Sequence, residues 1–178
     1  MKIDMENTDK IKLIKLLVLD VDGVMTDGSV WLDQSGKEIK RFDVQDGSGI
    51  KYLIRSGIDV AMISGRASEA SHARARELGI KECLPGCRKK LPEYMSLLQK
   101  LGIDEEATAC MGDDLTDLPL FNHCGFKIAP LNAVKEIRER ADLVTENAGG
   151  HGAVREAAEI ILRVQGRWQS LLEEYLET

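Results

Sequence analysis

Asp20 and Asp22 stand two residues apart in Leu19-Asp20-Val21-Asp22-Gly23. Further along come Ser64-Gly65-Arg66, then Lys90, then Gly112-Asp113-Asp114 with Asp117 one turn on. Carboxylates, one hydroxyl and one ammonium make a set suited to phosphoryl transfer. Carboxylate oxygens suit Mg²⁺, which keeps waters and binds phosphate oxygens. The cation relieves repulsion among the carboxylates and between them and an incoming phosphate. One carboxylate can then attack phosphorus and form an aspartyl-phosphate. A second can protonate the leaving oxygen and later activate water. Ser64 and Lys90 would hold the equatorial phosphoryl oxygens as charge shifts.

Each piece alone is weak. A lone D-x-D is more often a turn or a helix cap. Gly112-Asp113-Asp114 could be a turn with Asp114 as cap, Ser64 a helix start, and Lys90 a solvated charge. The joint reading depends on the elements that would position them. Leu16 to Leu19 is a short apolar run ending at Asp20, which reads as a central strand buried on both faces. Val60 to Ile63 ends at Ser64, and Thr108 to Met111 ends at Gly112-Asp113. Phe126 to Ala129 and Asp142 to Val144 are weaker strand candidates. Helical patterns fill the gaps: Asp46–Gly57, Ser68–Leu78 stopped by Gly79, Pro92–Leu101 stopped by Gly102, Ala133–Ala141 and Ala153–Gln165. Lys90 falls just before the third of these. The alternation predicts an α/β fold, a Rossmann-like parallel sheet with helices on both faces. Ligands of such sheets bind beyond the carboxyl ends of the strands, where the polar groups fall. Residues 29–42 break the alternation and read as a β-hairpin flap after the first strand. A tail over 166–178 has helical apolar spacing.

Composition narrows the function classes. The chain has 178 residues, enough for one domain with a full core, and one domain over 1–178 is expected. Its net charge of -6 argues against a general nucleic-acid surface, which needs clustered Lys and Arg. No apolar run reaches the roughly 20 residues that span a bilayer, and Met1 to Lys10 lacks the apolar centre of a signal peptide. A cytoplasmic location is expected. Cys83, Cys87, Cys110 and Cys124 lack the paired spacing of a zinc site and read as reduced thiols.

These residues resemble the four motifs of the haloacid dehalogenase superfamily. Leu19 to Val24 is similar to the first motif, Ile63 to Arg66 to the second, Lys90 to the third, and Gly112 to Asp117 to the fourth. The resemblance implies that Asp20 is the nucleophile and Asp22 the acid/base. It implies Mg²⁺ held by Asp20, Asp113 and the main-chain carbonyl of Asp22. Three further stretches, Asp20–Gly28, Phe42–Gly47 and Gly149–Glu156, resemble the family of 3-deoxy-D-manno-octulosonate 8-phosphate phosphatases. That family hydrolyses an eight-carbon keto-sugar acid phosphate in lipopolysaccharide synthesis and is homotetrameric. The resemblance carries substrate contacts to Asp43, Val44, Gln45, Asp46, Gly47, Lys51, Arg66, Arg74 and Lys90. Gln45, Lys51 and His151 depart from arginines that occur in relatives, so a nine-carbon sialic-type sugar phosphate is the alternative substrate. Arg66 favours the eight-carbon acid, because a cation there can pair with an acidic substrate.

The spans from Thr26 to Ser64 and from Lys90 to Asp113 are too short for a folded cap domain. Chemistry of this kind benefits from enclosure. A neighbouring subunit is therefore expected to complete the site, through the hairpin around Val30–Arg41 and the Gly149–Arg155 segment. Trp31 and Leu32 would be poor bare surface. Two other classes compete. A phospho-receiver domain has an acidic pocket and a phosphorylated Asp, but its acceptor follows the third strand, not the first. A non-catalytic oligomerisation module would keep the fold, yet this chain keeps each catalytic residue type.

Overall fold

The structure is a computed structural model that describes residues 4–177. It opens with a helix that no apolar periodicity predicts, α1 (Met5–Leu13), capped by the Asp4 carboxylate, which accepts from the Asn7 amide. Only Ile11 of α1 is buried, so its polar composition hid it. Strand β1 (Leu16–Leu19) follows, buried at every position. Next come the hairpin strands β2 (Trp31–Leu32) and β3 (Glu38–Ile39), paired antiparallel. The chain then alternates: α2 (Val44–Arg55), β4 (Asp59–Ile63), α3 (Glu69–Leu78), β5 (Glu82–Leu84), α4 (Lys90–Leu101), β6 (Thr108–Met111), the short α5 (Leu118–Phe121), β7 (Phe126–Ala129), the short α6 (Lys135–Arg138), β8 (Leu143–Val144), α7 (Ala153–Val164) and α8 (Trp168–Leu176).

The main sheet is parallel, in the order β5-β4-β1-β6-β7-β8. It is the expected Rossmann-like α/β sheet. Side chains alternate across it. Leu17, Leu19, Val60, Met62, Ala109 and Met111 face one core with α1, α2, α7 and α8. Leu16, Val18, Ala61, Ile63 and Cys110 face the other with α4, α5 and α6. Being buried on both faces is why these strands read as continuous apolar runs. β1 lies between β4 and β6, so the chain departs from it in both directions. Their carboxyl ends therefore open side by side, at Asp20, Ser64 and Asp113.

Some boundaries move. Strand β5 was not expected; its three half-buried residues carry no periodicity. Helix α4 begins at Lys90, two residues before Pro92, so Lys90 is in the first turn rather than ahead of it. α2 begins at Val44, because the Asp43 carboxylate accepts from the Gln45 and Asp46 amides and caps it there. The helix expected over Ala133–Ala141 shrinks to one turn. The 166–178 tail does contain a helix, and its Trp168 packs edge-on to Tyr52 of α2 with ring centroids 6.1 Å apart.

Candidate active site

The strand ends open into a cleft of about 330 Å³ lined by Asp20, Asp22, Ser64, Arg66, Lys90 and Asp113, among others. Each motif group read from the sequence is there. Asp20 is fixed by its amide, which donates to the Met111 carbonyl at 3.0 Å and carries the β1–β6 ladder one residue further. Ser64 sits likewise past β4, its amide donating to the Leu84 carbonyl at 3.0 Å. Its buried hydroxyl accepts from the Arg66 amide at 3.2 Å.

Lys90 is buried, and its ammonium lies 2.7 Å from Asp20 Oδ1 and 2.6 Å from Asp117 Oδ1. Burial opposes its charge, but the two carboxylates outweigh that and raise its pKa. Asp117 organises this cluster. Its other oxygen accepts from the amides of Asp113 and Asp114 at 3.0 and 3.3 Å. Asp114 reciprocates as a cap, its carboxylate accepting from the Leu115 amide. The Asp113–Asp117 spacing, one helical turn, was the available signal.

Asp20, Asp113 and Asp117 each present an oxygen within 4.8 Å of the others. Burial, with the neighbouring Asp117 second, pushes Asp20 up to about 6. Burial, then Asp20, pushes Asp113 up to about 8. Asp113 Oδ1 is buried and has no hydrogen-bond partner among the described residues. Crowded acids and an unpartnered oxygen are what a hard divalent cation would resolve, so the donor set fits one.

Glycine makes the fit possible. Gly23 has φ +89°, and a Cβ there would stand 2.0 Å from Asp113 Oδ2. The same turn carries the Gly149–Gly150 loop, where a Cβ on Gly149 would meet the Gly23 carbonyl at 1.9 Å. Asn132 ties the two together: its Nδ2 donates to the Gly23 carbonyl at 2.9 Å, and its Oδ1 accepts from the Gly149 amide at 2.6 Å. Nothing in the sequence marked Asn132.

The remaining expected substrate contacts separate into those inside the cleft and those outside it. Arg66 lines it. Asp43, Val44, Gln45, Asp46, Gly47, Lys51 and Arg74 do not; they gather at the start of α2 and beside it. Asp43 is the α2 cap. Asp46 is buried and accepts from the amides of Gly152 and Arg155, at 3.3 and 2.8 Å, at the start of α7. Arg74 donates to the Asp43 carbonyl at 2.9 Å and lies 5.7 Å from the centre of the Phe42 ring. A Cβ on Gly47 would strike that guanidinium. Val44, Gln45 and Lys51 are exposed, as is His151.

The chain is similar to known proteins along nearly all of this frame. Residues 89–156 match the haloacid dehalogenase-like hydrolase family. The 3-deoxy-D-manno-octulosonate 8-phosphate phosphatase KdsC of Escherichia coli K12 is 42% identical over 158 residues, 89% of this chain and 84% of that protein. This chain belongs to that family of haloacid dehalogenase-like phosphatases. Family members of known structure superpose closely. The Moraxella catarrhalis phosphatase, solved with a magnesium ion, a phosphate ion and a KDO molecule, has a TM-score of 0.93 at 40% identity, covering 97% of this chain and 99% of its own. The cobalt-bound Haemophilus influenzae phosphatase has a TM-score of 0.85 at 41% identity, covering 88% and 92%.

Proposed function

We propose that this phosphatase hydrolyses 3-deoxy-D-manno-octulosonate 8-phosphate with Mg²⁺, at a site held by Asp20, Asp113 and the main-chain carbonyl of Asp22. The observation that supports this most is Asp20 at the end of β1, with the Lys90 ammonium 2.7 Å away and Asp113 beside it. Asp20 attacks phosphorus while the bond to the sugar oxygen breaks, and Asp22 gives that oxygen its proton. Asp22 then takes a proton from water, which attacks the aspartyl-phosphate and frees phosphate. Ser64 and Lys90 hold the equatorial oxygens throughout. The bound cation supplies charge neutralisation between carboxylates and phosphate. Arg66, at the cleft rim, meets the acidic sugar, and Asp43, Val44, Gln45, Asp46, Gly47, Lys51 and Arg74 form or support the sugar-side wall. Such a reaction belongs to lipopolysaccharide synthesis in the cytoplasm.

The working form we infer is a homotetramer of single-domain chains. Trp31 and Leu32 of the hairpin are 60% and 61% exposed, which suits contact with a second copy. The test is phosphate release from a panel of eight- and nine-carbon sugar acid phosphates with Mg²⁺, alongside Asp20→Asn. Asp20→Asn is expected to be inactive, by about four orders of magnitude or more. A fully active variant overturns the mechanism; clear preference for nine-carbon substrates overturns the sugar.

A further inference from the structure

The hairpin places two charged side chains against Asp22. Lys40, just beyond β3, has a side chain only 3% exposed. Its ammonium pairs with Asp22 Oδ1 and lies 2.8 Å from Glu38 Oε1. Glu38 Oε2 accepts from Arg66 Nη2 at 2.6 Å, and Arg66 Nε stands 4.0 Å from Asp22 Oδ2. The four side chains close a ring of alternating sign.

Beside this ring, Arg41 Nη1 donates to the Gly150 carbonyl at 3.4 Å. The hairpin strands are two residues each, too short for independent stability. Its apolar side chains Trp31, Leu32 and Ile39 point away, at 55% exposure or more. A buried ammonium requires partners, and Lys40 has both of its own only while the hairpin lies over the strand ends. Asp22, by contrast, is on a loop and free to turn about χ1 and χ2 unless something engages its carboxylate. We propose that Lys40 is the positioning residue for Asp22 in the phosphatase reaction, with Glu38 holding Lys40 from its other side. The proposal rests on the acid/base role of Asp22 given above.

That role supplies a discriminating measurement. A sugar alkoxide cannot leave without a proton, so it needs a well-aimed Asp22. A p-nitrophenyl or acetyl phosphate has a leaving group that departs unassisted. Wild type, Lys40→Met, Lys40→Arg and Glu38→Gln are assayed with Mg²⁺ on 3-deoxy-D-manno-octulosonate 8-phosphate and on an activated phosphate that the wild type turns over. Thermal unfolding is recorded for each. Because Asp22 also serves the water-attack step that both substrates share, the comparison is made on the first step in a single turnover, as formation of the aspartyl-phosphate. There Lys40→Met is expected to lose about 100-fold with the sugar phosphate, the scale of a misplaced acid, and only a few-fold with the activated one. Lys40→Arg restores most of the loss, and Glu38→Gln gives the same pattern, weaker. Equal losses in that first step on both substrates, or none on the sugar phosphate, overturn the inference. If Lys40→Met does not fold, Glu38→Gln and Lys40→Arg decide by the same comparison. A wild type inactive on every phosphate fails the proposed function instead.

Discussion

Lys90 shows how much one side chain is asked to do. It neutralises Asp20 and Asp117 at once, in a site where water cannot. Removing it leaves two buried carboxylates facing each other. Lys90→Met is expected to cost about 3–5 kcal/mol of stability, the usual price of breaking a buried pair, and to abolish turnover; a melting temperature equal to wild type would contradict this. Asp113 and Asp20 give a pH signature. Their pKa values rise on folding, to about 8 and about 6 from 3.8, so the folded cation-free protein keeps protons that the unfolded chain has released. Stability from these groups therefore falls as pH rises from about 4 towards 8, and levels off above it. Mg²⁺ competes with those protons, so the rise in Tm on adding Mg²⁺ should grow from pH 5 to pH 8. Asp113→Asn should flatten both trends in calorimetry. A Mg²⁺ shift that is constant with pH would sink this reading.

At the scale of elements, what could be read in advance was what repeats. β1, β4 and β6 are buried on both faces and end in polar residues, so runs of aliphatic side chains located them and their ends located Asp20, Ser64 and Asp113. β5, one of the two edge strands of the main sheet, is half-buried and short, and α1 buries one side chain; neither has a pattern to detect. Cross-chain ties were equally hidden. Asp46 falls in Phe42–Gly47, a stretch that resembles substrate-contacting residues, and it also caps α7 from a different helix; no local rule joins position 46 to 152 and 155. Asp46→Ala should leave both amides unpaired and cost about 1–3 kcal/mol in urea unfolding. Asp46→Asn, which keeps one acceptor oxygen, should cost less. If Asp46→Ala unfolds like wild type while KM rises sharply, Asp46 is a substrate contact and its capping is incidental.

On the scale of the whole molecule, the hairpin divides its labour. Glu38 and Lys40 turn inward to the chain's own site, while Trp31, Leu32 and Ile39 turn outward. The double variant Trp31→Ser, Leu32→Ser should sediment as a smaller species than wild type and lose kcat/KM on the sugar phosphate by about 10-fold or more, as an opened site admits water. An unchanged sedimentation coefficient would remove the shared-site reading. The Gly149–Gly150 loop has a different consequence. It rests on the Gly23 carbonyl, and Asn132 reaches that carbonyl across 109 residues of chain. The turn beside the nucleophile is thus finished by a segment synthesised long after it. A ribosome that has delivered Asp20, Ser64, Lys90 and Asp113 has delivered all four motif groups but not their support. Nascent chains arrested before Gly149 clears the exit tunnel should release no phosphate, and chains arrested beyond α7 should, so that synthesis itself acts as the timer on the chemistry.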